Sequence, residues 1–107
     1  MATTETIAVP DDLVGKRDTY VLKVRGDSMI DEQIRDGDFV IVEDRKSADN
    51  GEMVIALLGG SDVTLKKFYR ENGNVRLQPA NPAMQPLIVA ADQIQIQGVV
   101  VGVMRKY

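Results

Sequence analysis

The chain contains neither histidine nor cysteine. Without imidazole there is no Ser-His-Asp triad. Without a thiol there is no cysteine nucleophile, no disulfide framework and no thiolate metal site. The usual zinc ligand sets are excluded by the same two absences. Carboxylates remain for a hard cation, but no EF-hand spacing occurs, so neither a metal nor a cofactor is expected. A basic field is missing too: net charge is -3, which argues against direct DNA binding by this segment. No apolar run approaches the ~20 residues that span a bilayer. Met1-Ala2-Thr3-Thr4-Glu5-Thr6 has neither a basic nor an apolar leader region. A cytoplasmic protein without a membrane anchor is the default expectation. Met1-Ala2 also suits a start placed at the beginning of a fragment, with an upstream domain missing.

Long amphipathic helices are equally scarce; the pattern is one of strands. At 107 residues and 44% apolar content, a single domain with a modest core is expected. Residues 1–18 are polar, with Pro10, Asp11, Asp12 and Gly15, and read as an irregular lead-in; the folded domain is placed at 19–107. Strands are expected at Thr19–Val24, Phe39–Val42, Met53–Leu58, Val63–Tyr69, Val75–Leu77, Leu87–Val89 and Ile94–Met104. Asp36-Gly37-Asp38, Asp49-Asn50-Gly51, Gly59-Gly60-Ser61-Asp62 and Asn72-Gly73 supply the turns. Met29–Arg35 has room for one helical turn. Gly98 and Gly102 mark bends in the last strand. The fold class is therefore all-β, a small sandwich or partly closed barrel of short strands.

With imidazole and thiol excluded, the nucleophile that remains is a hydroxyl, and its plausible base is a lysine. Ser28 ends the run Arg25-Gly26-Asp27-Ser28, followed by Met29 and Ile30. Gly26 permits a sharp turn and close backbone approach to a substrate. A serine on such a turn presents its Oγ while neighbouring N–H groups face a developing oxyanion. Gly26, Asp27 and Met29 are the candidate oxyanion and cleft residues. The alternative is an ordinary polar turn. Arg25-Gly26-Asp27 also spells an adhesion tripeptide, a match too short to weigh.

Lysine is a base only when neutral, and its reference pKa is about 10.4, so a catalytic lysine needs burial or a positive neighbour. Two lysines lie in the strand pattern Val63-Thr64-Leu65-Lys66-Lys67-Phe68. Alternation puts Lys66 with Thr64 and Phe68, and Lys67 with Val63, Leu65 and Tyr69. Periodicity leaves the choice open, with a slight lean to Lys67. Both are alternatively solvated residues that protect a sheet edge.

These segments resemble the carboxy-terminal domain of the LexA repressor family, which includes LexA, UmuD-type polymerase accessory proteins and cleavable phage repressors. The resemblance covers about residues 19–104. It is carried by Val24-Arg25-Gly26-Asp27-Ser28-Met29, Ile34-Arg35-Asp36-Gly37-Asp38, Asn50-Gly51-Glu52-Met53-Val54 and Val63-Thr64-Leu65-Lys66-Lys67-Phe68. Val75-Arg76-Leu77-Gln78-Pro79-Ala80-Asn81 and Gly98-Val99-Val100-Val101-Gly102-Val103 complete six stretches in order. The resemblance implies a serine-lysine endopeptidase that cuts its own chain, with Ser28 as nucleophile and Lys66 as base. It also implies a bacterial protein, promotion of cleavage by the RecA filament, and dimerisation.

The family cuts an Ala-Gly or Cys-Gly bond some thirty-five residues before its serine. Here 27 residues precede Ser28 and neither pair occurs. The expectation is a fragment whose lead-in is the remnant of a linker beyond the cut. It would lack the DNA-binding domain and act on longer chains in trans. The last strand gives an independent hint of a homodimer. Alternation places Ile94, Ile96, Val100 and Met104 on one face and Val99, Val101 and Val103 on the other, so strand 94–104 is either wholly buried or covered by a second subunit. A UmuD-type accessory protein, a non-catalytic dimerisation module and a truncated relative of signal peptidase are the competing readings.

Overall fold

The computed structural model describes residues 2–4 and 18–105, the first three by backbone alone. The expected lead-in falls mostly outside the described residues. Among the described residues eight strands form one antiparallel sheet: β1 Ala2–Thr4, β2 Thr19–Val24, β3 Phe39–Glu43, β4 Met53–Leu58, β5 Asp62–Glu71, β6 Asn74–Gln78, β7 Leu87–Ala90 and β8 Ile94–Met104. Their spatial order is β1-β2-β3-β8-β4-β5-β6-β7, and the sheet curls into a half-barrel. The all-β expectation holds, and every expected strand is present with its ends moved by at most two residues. The helical turn expected in Met29–Arg35 is a single 3-10 turn, Ile30–Glu32.

β8 is the long central strand, inserted between β3 and β4. It bends twice. Its pairing with β4 shifts register between Ile55 and Ala56, and its pairing with β3 shifts between Ile41 and Val42. The extra residues fall at Gln97 and Val101, each beside one of the two glycines expected to bend the strand. A bulge resets the in–out alternation, so strict period-two reading of this strand is corrected here. Val99, expected opposite Ile96, instead joins it in one buried cluster with Val54, Ala56, Phe68, Val75 and Leu77. Val100 packs against the other large cluster, Leu22, Val24, Met29, Ile34, Val40, Val42, Ile55 and Leu65. Val101 and Val103 are left exposed.

The bulge at Gln97 also explains why position 98 is glycine. A Cβ there would lie 2.8 Å from both the Glu43 carbonyl oxygen and the Tyr20 hydroxyl, and closer still to Val42. The Tyr20 hydroxyl donates to the Gln97 carbonyl at 3.1 Å, so the tyrosine occupies the space that a side chain would need.

Candidate active site

The link from β2 to β3, residues 25–38, carries Ser28. At its neck the Val24 N–H donates to the Asp38 carbonyl at 2.7 Å, and the Gly37 N–H donates to the Val24 carbonyl at 2.8 Å. One turn further in, the Gly26 N–H donates to Asp36 Oδ1 at 2.8 Å. Gly26 has φ +93°, a left-handed conformation that costs an L side chain free energy even in open space. The chain then doubles back, with the Ile30 N–H 3.3 Å from the Asp27 carbonyl.

A second segment braces this turn. The Ala80 N–H donates to the Ser28 carbonyl at 2.7 Å, and the Asp31 N–H donates to the Ala80 carbonyl at 2.7 Å. Asn81 donates its side-chain amide to the Asp27 carbonyl at 2.9 Å, while its Oδ1 accepts the Ala83 N–H at 2.9 Å. Met29 is 1% exposed and lies in the core beneath the turn with Ile34. Expected as a cleft residue, it instead anchors the turn from below.

Ser28 lines a cleft of about 200 Å³ together with Gly26, Asp27, Thr64, Leu65, Lys66 and Met84, among others. β6 pairs with β5 only from Lys67 to Glu71, so the 62–66 end of β5 has β4 on one side and no β6 on the other. The serine turn approaches there: Ser28 Oγ donates to the Leu65 carbonyl at 3.3 Å. The neighbouring Lys66 Nζ donates to Thr64 Oγ1 at 2.6 Å. Serine and lysine thus share one cleft, each resting on a partner other than the other.

The two lysines that periodicity left undecided sit in opposite environments. Burial pushes the Lys66 ammonium below the ordinary lysine value, because desolvation penalises its charged form. Lys67 reaches the other way, to Glu32 on the 3-10 turn. That hydrogen bond, assisted by the carboxylate charge, holds Lys67 above the ordinary value. Lys67 is the better-paired cation and Lys66 the more readily neutralised one. Alternation could not reveal this, because Lys67's partner lies on a different segment.

Of the other candidates, Gly26 and Asp27 border the cleft and Met29 does not. The Gly26 N–H is already committed to Asp36. Asn81, Thr64 and Asp36 were not singled out from the sequence as site residues. Asn81 sits between Pro79 and Pro82, and its partner is 54 residues away. Among the described residues no group of His, Cys, Asp or Glu is arranged to hold a metal ion. No helix among them is long and apolar enough to cross a membrane.

Residues 1–101 match the model of the Peptidase S24-like family. The chain is similar to the LexA repressor of Koribacter versatilis, 52% identical over 103 residues, covering 96% of this chain and 49% of that protein. The LexA repressor of Syntrophotalea carbinolica is 46% identical over 104 residues, covering 96% and 51%. That of Ruminiclostridium cellulolyticum is 46% identical over 103 residues, covering 96% and 47%. The chain spans about half the length of these relatives. With a bracing turn, a serine and a partly desolvated lysine in one cleft, and a family match over nearly its whole length, the chain belongs to the peptidase S24-like family.

Proposed function

We propose that this chain is the self-processing serine-lysine endopeptidase portion of a LexA-type SOS-response transcriptional repressor. The observation that carries the reading is the shared cleft, in which Ser28 rests on the carbonyl of the residue before a lysine whose charge is disfavoured by burial. Neutral Lys66 takes the proton from Ser28 Oγ as the oxygen attacks a backbone carbonyl. The resulting ammonium gives that proton to the departing amine, leaving an acyl-enzyme ester. Water, deprotonated by the same lysine, then releases the acid. Catalysis requires Ser28 Oγ to exchange the Leu65 carbonyl for Lys66 Nζ as its hydrogen-bond partner.

With the Gly26 N–H held by Asp36, the oxyanion falls to the N–H groups of Asp27 and Ser28. Met29 contributes by fixing the turn from the core. The chain acts in trans on longer repressor chains, at the Ala-Gly type of bond its family cuts. The parent protein would be cytoplasmic and bacterial, reach DNA through an upstream domain, respond to the RecA filament, and dimerise through strand 94–104. The exposed Val101 and Val103 suit that last role.

The test is incubation of the chain with Koribacter versatilis LexA repressor whose own serine is replaced by alanine. Cleavage that disappears in Ser28→Ala supports the reading; cleavage that survives the substitution contradicts it.

A further inference from the structure

We propose that Arg105 is a positioning residue for Ser28, acting through the buried carboxylate of Asp38. This rests on the reading of Ser28 as nucleophile. Arg105 follows β8 and is not among the cleft-lining residues. It nevertheless grips the loop that carries the serine at two points, its C-terminal end and its interior. Its Nε donates to Asp38 Oδ1 at 2.9 Å, and its Nη2 donates to Asp38 Oδ2 at 2.9 Å. The same Nη2 donates to the Gln33 carbonyl at 2.9 Å.

Asp38 is 3% exposed. Besides the guanidinium, Asp38 Oδ2 accepts the Arg35 N–H at 2.8 Å. Its backbone carbonyl takes the Val24 N–H, the bond that closes the loop neck. A buried carboxylate with a bidentate guanidinium has little freedom to turn, so the neck inherits its fixed position. The second grip works inside the loop. Gln33 ends the 3-10 turn in a left-handed conformation, φ 63°. The next residue, Ile34, is 1% exposed and donates its N–H to the Met29 carbonyl at 3.3 Å. Met29 is the immediate neighbour of Ser28. The guanidinium thus constrains the serine from the neck behind it and from the buried pair ahead of it.

Removing a residue that merely added stability would lower the melting point and leave the folded protein's kinetics alone. A positioning residue changes the loop within the folded state, where a misplacement of about 1 Å can cost on the order of 100-fold in rate. The experiment compares the parent chain with Arg105→Lys and Arg105→Gln, well below their melting temperatures. Amide hydrogen exchange is followed at Val24, Gly26 and Gly37, with β4 amides as the internal reference. Cleavage of the serine-less LexA substrate is followed in parallel.

Expected is faster exchange at these three amides with β4 unchanged. The expected fall in kcat is on the order of 10-fold or more in Arg105→Gln, with KM within about 2-fold and the pH midpoint unmoved. Arg105→Lys, which keeps the charge but not the fork, should fall between. Loop exchange equal to the parent's, or a rate loss no greater than the unfolded fraction, overturns the role of Arg105. The Ser28→Ala control separates the two failures: if cleavage survives it, the nucleophile reading falls first.

Discussion

Asn81 hydrogen-bonds through its side-chain amide to the carbonyl oxygen of Asp27, the residue before the serine, at 2.9 Å. With the Ala80–Ser28 backbone bond beside it, this makes the segment after β6 a brace for the nucleophile turn. Asn81→Asp keeps an acceptor for the Ala83 N–H but cannot donate to Asp27. Its expected cost is about 1 kcal/mol of stability and a loss of cleavage that exceeds what that destabilisation explains. Denaturant titration alongside single-turnover cleavage checks both.

Lys66 carries a stability signature that is separate from its chemistry. Its folded-state pKa lies below the unfolded value because burial disfavours the ammonium. The folded protein therefore binds fewer protons than the unfolded chain between those two values, and stability rises with pH across that window. At pH 7 the desolvation penalty is still present. Lys66→Met should raise the denaturation midpoint at pH 7, and its advantage over the parent should shrink as pH climbs toward 10. Urea titrations at both pH values supply the comparison.

Asp38 has the opposite sign. The hydrogen bonds from Arg105 outweigh burial and hold its carboxyl below the usual carboxylate range. Its stabilisation is present above the unfolded value of about 3.9 and is lost as pH falls through the lower folded value. Asp38→Asn should cost about 1–3 kcal/mol at pH 7, allowing for the partial exposure of Arg105. That cost should diminish in acid, as measured by denaturation at pH 7 and near pH 2.

Gly98 pairs with Ile55 of β4, one residue before the pairing with β3 begins at Val99. An added methyl there would press on the Glu43 carbonyl, Tyr20 and Val42. Gly98→Ala should destabilise by about 1–3 kcal/mol. Tyr20→Phe should recover little of that loss in the double variant, because the Glu43 contact is with backbone. A double-mutant cycle read by thermal unfolding decides it.

Strand positions were legible because β-formers alternate with glycine- and asparagine-rich turns, and Thr19–Val24 and Met53–Leu58 begin and end where the pattern does. The bulges of β8 were half legible. Gly98 and Gly102 signalled bends, but the reset of alternation that buries Val99 beside Ile96 depends on how β3 and β4 pair with the strand. In the site, the absence of histidine and cysteine left a hydroxyl with a lysine base as the plausible chemistry, while the choice of Ser28 is what the family resemblance implies. Lys66 was not separable from Lys67 by periodicity, because the difference lies in what each meets across the fold: the buried Thr64 in one case, Glu32 in the other. Asn81, Asp36 and Arg105 act across gaps of 54, 10 and 67 residues. No local pattern encodes such contacts.

The central claim is that Ser28 and Lys66 act together, and the most direct measurement is the pH–rate profile of cleavage in trans. The parent chain, Ser28→Ala, Lys66→Ala and Lys67→Ala are each incubated with serine-less LexA repressor from pH 6 to 11. The account predicts a parent rate that rises with pH and levels off below the ordinary lysine value, since the neutral amine is the base. It predicts no cleavage by Ser28→Ala or Lys66→Ala, and a Lys67→Ala profile within about 3-fold of the parent, as expected for an outlying ion pair. A flat profile, or cleavage that depends on Lys67 and tolerates loss of Lys66, would contradict it.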